Sequence, residues 1–126
     1  MKVFGSTIAA ALLLTGPTLA EESHKAFLID TTADLAQLCA THPADPNYAA
    51  AIHLCHGYLI GMHHMHMAVA NAVGSGIYCV PEDARPSRDE ASAAFAAWVE
   101  AAPESAGLEA LDGVLLWAST AYPCTN

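Results

Sequence analysis

The chain has 126 residues, with 13 acidic side chains against 4 lysines and arginines and a formal charge of −9 at neutral pH. That balance excludes nucleic acid as a partner, because phosphate binding needs clustered cations, and the length suits one domain rather than several. Four cysteines and seven histidines are the residues whose chemistry has to be placed.

Met1 and Lys2 lead into the apolar run VFGSTIAAALLL and then into TGPTLA, a Gly-Pro break followed by small residues. Residues 1–20 therefore read as a secretory signal peptide. The run is shorter than the ~20 residues a membrane-spanning helix needs, and the first cysteine is Cys39, too far on for lipid attachment at a new amino terminus. Residues 21–126 are expected to form one helical domain in the periplasm. Without Lys2, only Lys25, Arg85 and Arg88 face all 13 carboxylates, which is 3 minus 13, or −10. A basic protein partner would suit that field.

The first helix is expected from Thr32 to about Ala40, with Thr31 as N-cap and Asp34 three residues on. THPADPN is a loop with two prolines that cannot donate backbone hydrogen bonds. A long helical pattern runs from Tyr48 to Val73 and stops at GSG, residues 74–76. After the irregular IYCVPEDARP, the run SRDE is a capping box in which Ser87 and Glu90 satisfy each other's amides. A third helix then runs to about Ala102, before Pro103, and a fourth from about Gly107 to Ala121, before YPC. No segment alternates with period two, so the fold class is all-α: a small four-helix up-and-down bundle.

An even set of widely spaced cysteines in an exported chain reads as two disulfides, and the absence of close C-x-x-C pairs argues against a four-cysteine zinc site. The long helix carries Cys55 ~27 Å from its own far end, so Cys79 cannot easily return to it. With helices running up and down, Cys39 falls near Cys55 and Cys79 near Cys124, and these are the expected pairs.

Laid at 100° per residue, the long helix has a core stripe of Tyr48, Ile52, Cys55, Leu59, Met62, Val69 and Val73, with Tyr58 and Met65 at its margin. His53, His56, Ile60, His64, Met67 and Asn71 lie opposite, with His63 at the edge, while His66 points towards the core and needs a hydrogen-bond partner there. The plainest role for these histidines is a polar face without fixed charge. As a candidate metal or pH-sensing face, His53, His56, His63, His64 and Met67 offer imidazole and thioether donors that suit copper or zinc, but further ligands would have to come from His24, His42 or another chain. At a reference pKa of ~6.5, protonating all seven histidines would carry the charge from −10 towards −3. Five histidines and Asn71 make this helix too polar to span a lipid core.

No catalytic group is expected. Between Pro46 and Val80 there is no carboxylate to orient a histidine as a base, the cysteines are expected to be oxidised, and Ser75 lies in a flexible helix stop rather than in G-x-S-x-G. No cofactor is implied. Phe95, Trp98 and Val99, and then Leu108, Leu111, Leu115 and Trp117, recur at core-like spacing. The mixed-charge loop PEDARPSRDE, with Glu82, Asp83, Arg85 and Arg88, is a candidate partner-binding loop. Gly57, Ile60, Gly61 and Ala68 would allow close packing of a second copy in a homodimer.

In chain order, FLIDTTADLAQLC, then CHGYLIG at 55–61, YCVP at 78–81, an amphipathic helix ending in PES, and the terminal YPC resemble the Rap/Tai family of immunity proteins, associated with bacterial type VI secretion. The resemblance covers nearly all of the chain after residue 20. It implies a small, helical, disulfide-bonded periplasmic protein, often dimeric, that binds a secreted peptidoglycan amidase and blocks its active-site cleft. Affinity in such an inhibitor comes from a complementary surface, with charge raising the association rate. The histidines and methionines that follow CHGYLIG depart from the family pattern.

Overall fold

The computed structural model describes residues 25–125, so the expected signal peptide over 1–20 and His24 lie outside the described residues. Four α-helices lie wholly within them: α1 (Thr32–Cys39), α2 (Tyr48–Val73), α3 (Arg88–Ala101) and α4 (Ala110–Ala121), with short 3₁₀ turns at Glu82–Ala84 and Pro103–Ser105. The all-α, four-helix expectation holds, and both expected disulfides form, Cys39–Cys55 and Cys79–Cys124. Closing loops of 16 and 45 residues, each contributes ~2 to 4 kcal/mol by restricting the unfolded chain.

Both capping boxes are present. The Thr31 hydroxyl accepts from the Asp34 amide while the Asp34 carboxylate accepts from the Thr31 amide, and Ser87 and Glu90 do the same at the start of α3. At the far end of α2, Gly74 adopts φ of 79°, the left-handed conformation that ends a helix at little steric cost to glycine.

The central element is the shortest. An eight-residue helix is not stable alone in water, yet α1 buries Thr32, Leu35, Ala36, Leu38 and Cys39 and packs against each of the other three helices. Its start is stitched to the connection between α3 and α4: the Thr32 amide donates to the Leu108 carbonyl at 2.8 Å, the Ala33 amide to Ala106 at 3.0 Å, and the Ala110 amide to Asp30 at 3.2 Å. The fully buried Thr32 hydroxyl bonds the Leu108 and Glu109 carbonyls. Facing it is Gly113 of α4, where an added Cβ would lie only 2.0 Å from the Thr32 hydroxyl oxygen.

That contact explains a departure from the expected core. On α4 the buried stripe is Ala110, Gly113, Val114, Trp117 and Ala118, while Leu108 and Leu111 are exposed. Close approach to α1 requires small side chains at the contact, so the helix turns Gly113, Ala110 and Ala118 inward and Leu111 and Leu116 outward, while Leu115 packs partly buried against the core as expected. Phe95 of α3, Val99 and Trp117 complete the core, with Phe95 and Trp117 meeting edge to face at 5.4 Å.

The other departure concerns α2. Cys55, Leu59 and Ala51 are buried as part of the core, but Met65, Val69 and Val73 are 64%, 51% and 66% exposed. Twenty-six residues make a helix of ~39 Å, against ~21 Å for α3 and ~18 Å for α4, so the carboxyl-terminal half of α2 outruns its neighbours.

Replacing Gly113 by alanine is expected to cost at least ~1 to 3 kcal/mol, the usual penalty for overpacking, whereas alanine at Gly107, where a Cβ meets nothing within 4 Å, should leave stability within about 1 kcal/mol. Urea unfolding of the two oxidised variants beside the parent chain checks this; equal midpoints would remove Gly113 from its structural role.

Candidate functional site: a cleft between α2 and α4

α2 and α4 do not pack closely on each other, and the space between them is an open cleft of about 390 Å³. His56, Leu59, Ile60, His63 and His64 of α2 line one side; Val114, Trp117, Ala118 and the following Tyr122 line the other. Tyr78, Val80 and the run from Arg85 to Arg88 close it from the connection into α3, with Ala91 beyond. Its floor is apolar and its rim carries the imidazoles and two guanidinium groups.

The wall formed by Tyr78 is fixed by two histidines. His66, buried as expected, uses Nε2 to accept the Ile77 amide at 3.0 Å and the Tyr78 amide at 3.4 Å, which puts its proton on Nδ1. Its ring stacks on Tyr78 with centroids 3.8 Å apart. Gly76 permits this approach, because a Cβ there would sit 3.2 Å from the imidazole and 3.0 Å from the Tyr78 carbonyl oxygen. His66 Nδ1 has no hydrogen-bond partner among the described residues. On the other side, the Tyr78 hydroxyl lies 3.2 Å from His63 Nδ1. Burial raises the Tyr78 pKa, so the phenol stays protonated beside that imidazole. Cys79, next in sequence, is held by the bridge to Cys124 and by its amide donating to the Tyr122 carbonyl at 2.8 Å.

His56 is half-buried, with Nε2 3.2 Å from the Asp89 carboxylate and 3.4 Å from the Ser92 hydroxyl oxygen. Because the Ser92 hydroxyl already donates to the Asp89 carbonyl, its oxygen is the acceptor for the imidazole. The five residues of the expected metal or pH-sensing face therefore divide. His56, His63 and His64 border the cleft; His53 and Met67 are exposed and stand outside it. The ring pairs His53–His56 and His63–His64 have centroids 6.4 and 6.2 Å apart, and among the described residues no group of three or more His, Cys, Asp or Glu side chains is placed to hold a metal ion. The expected partner loop divides too. Glu82 and Asp83 are exposed in a 3₁₀ turn, while Arg85 and Arg88 line the cleft with the histidines. Two regions that look independent in the sequence thus form one site. Tyr78 and Tyr122 were not expected in it; the YCVP and YPC motifs hold both tyrosines and were the available signal.

Fold and site together define a disulfide-braced helical domain with an open surface cleft. No helix among the described residues is long and apolar enough to cross a membrane, and the two disulfides suit an oxidising compartment outside the cytoplasm. The model of the family described as Rap1a immunity proteins matches residues 31–124, and the chain belongs to that family. No curated protein and no solved structure matches the chain. Family membership implies an effector-immunity role, exercised by binding a secreted effector.

Desolvation lowers the His63 pKa below the ordinary imidazole value of 6.5, and the nearby Arg85, His64 and His66 lower it further. A depressed folded value means that the unfolded chain takes up the proton first. The stabilising contribution is thus complete above pH ~6.5 and is lost as the pH falls from there through the folded value. In an NMR titration, the His63 ring is expected to change state at lower pH than a free histidine, and Arg85→Gln should move it upwards. An ordinary or raised midpoint for His63 would contradict the placement of that ring.

Proposed function

We propose that this protein is a periplasmic immunity protein of a type VI secretion system, and that it binds and blocks a secreted peptidoglycan amidase. The observation that carries the reading is the family match over residues 31–124. A net charge of −9, two disulfides and an exposed acidic turn at Glu82–Ala84 are consistent with an acidic inhibitor. The signal peptide at 1–20 would deliver it to the compartment in which the amidase attacks the wall.

The inhibitor acts as a homodimer in this reading. The stripe Met65, Val69 and Val73, continued by Ile77, is exposed on the overhanging half of α2 and supplies an apolar seam. Ile60, a seam candidate from the sequence, borders the cleft.

Two experiments test these statements. Mixing the oxidised protein with a secreted peptidoglycan amidase from the same organism's type VI effectors should give a complex on size exclusion and abolish peptide release from purified peptidoglycan; full activity of every such amidase at stoichiometric excess would refute the inhibitor reading. Val69→Glu with Val73→Glu should yield monomers by sedimentation velocity, and an unchanged sedimentation coefficient would dismiss the seam.

A further inference from the structure

We propose that the α2–α4 cleft is a binding site for a small amphipathic anion, a monocarboxylate with an apolar tail. The inference goes beyond effector binding and does not depend on it.

Charge distribution carries the argument. Among the described residues no Asp or Glu lines the cleft, whereas Arg85 and Arg88, two of the chain's 4 lysines and arginines, both line it. Neither arginine makes an ion pair with a carboxylate among the described residues, where the recorded pair is His56 with Asp89. Asp89 stands next to Arg88 in the chain; its side chain is 87% exposed, lies 3.2 Å from Nε2 of the cleft-lining His56, and is not itself among the lining residues. Glu90 is committed to the Ser87 cap. Among the described residues, the lining of this concavity thus includes two arginines, neither in an ion pair, and no carboxylate, the nearest being the Asp89 group on His56. Guanidinium groups present paired N–H donors that match a carboxylate geometrically and bind it more strongly than neutral donors do.

The interior selects the rest of the ligand. Leu59, Val114 and Trp117 give an apolar floor, and a volume of about 390 Å³ lies at the lower end of the range of small-ligand sites, roughly 300 to 1,000 Å³. A fully polar anion would leave that floor unused, and a neutral lipid would leave the arginines unpaired. An apolar tail on the floor with its carboxylate between Arg85 and Arg88 satisfies both. The wall is preformed: Tyr78 is clamped by His63 and His66, and the disulfide at Cys79 anchors the segment behind it. Little ordering is then required when a ligand enters.

Isothermal titration of the oxidised protein with decanoate, decanol and decyltrimethylammonium, all below their aggregation limits, tests the proposal directly. Decanoate should bind at one saturable site, decanol about tenfold or more weakly, and the cation not at all. With decanoate, NMR shifts should appear at the Trp117 indole and the His63 ring and not along Met65–Val73. Arg85→Gln with Arg88→Gln should lower decanoate affinity about tenfold or more and leave decanol unchanged, while Lys25→Gln should alter neither. Equal binding of decanoate and decanol to the parent chain, no saturable decanoate binding up to millimolar concentration, or shifts confined to the overhanging half of α2 would each overturn the proposal without reliance on a variant that folds.

Discussion

The contact between Thr32 and Gly113 is the constraint around which this domain is arranged. A helix of eight residues becomes the common neighbour of three others only if at least one of them can approach its backbone closely, and Gly113 provides that approach. Thr32 is spent on both sides of the junction, its hydroxyl and amide bonding carbonyls of the α3–α4 connection. At the other end Cys39 ties α1 to α2. The small helix is therefore fixed at its start by hydrogen bonds and steric fit and at its end by a covalent bond, and its lack of intrinsic stability ceases to matter.

From that arrangement two surfaces follow that a regular bundle of equal helices would not have. Because α1 occupies the centre, α2 and α4 are held apart, and the gap between them is the cleft. Because α1, α3 and α4 are all short, α2 extends past them and exposes an apolar stripe. Both surfaces belong to α2, on different faces of the same helix. Occupancy of one need not obstruct the other, so an immunity protein built this way can carry a seam and a ligand site at once.

Local chemistry was the most legible part of the sequence. Both capping boxes, the bounds of α2 and the stop at Gly74 depend on residues within one turn of each other, and the structure has them where the spacing placed them. The disulfide pairs were legible for another reason: helix length disfavours Cys55–Cys79, and helices running up and down with short connections select the pairs found. Facing direction was less legible. Hydrophobicity put Leu108, which lies just before the last helix, and Leu111 within it in the core, and Val69 and Val73 of the long helix with them, and all four are exposed. A helical wheel ranks residues by polarity, whereas the close contact at Thr32 ranked them by size, and no wheel reveals that a helix has outrun its neighbours. The site suffered from the same limit. His56 and His63 lay off the apolar stripe and so read as outward, yet they are half-buried because the connection carrying Arg85 and Arg88 folds back beside them.

The histidine-rich departure from the family pattern acquires a partial explanation in the same terms. His66 uses its ring as an acceptor for two successive amides and as a stacking surface for Tyr78, and His63 meets the hydroxyl of that tyrosine. Two of the five histidines on α2 therefore hold the segment that leads into the second disulfide, and Gly76 is small because the imidazole lies against it. A methionine or leucine at position 66 would fill comparable space but leave the Ile77 and Tyr78 amides without an acceptor, a cost of about 1 to 3 kcal/mol for each buried group left unpaired. His53, His64 and Met67 make no such contact among the described residues; nothing in the structure explains those three. The density of imidazoles along α2 is accordingly not one feature but two, a structural clamp on the core side and an exposed group beside it.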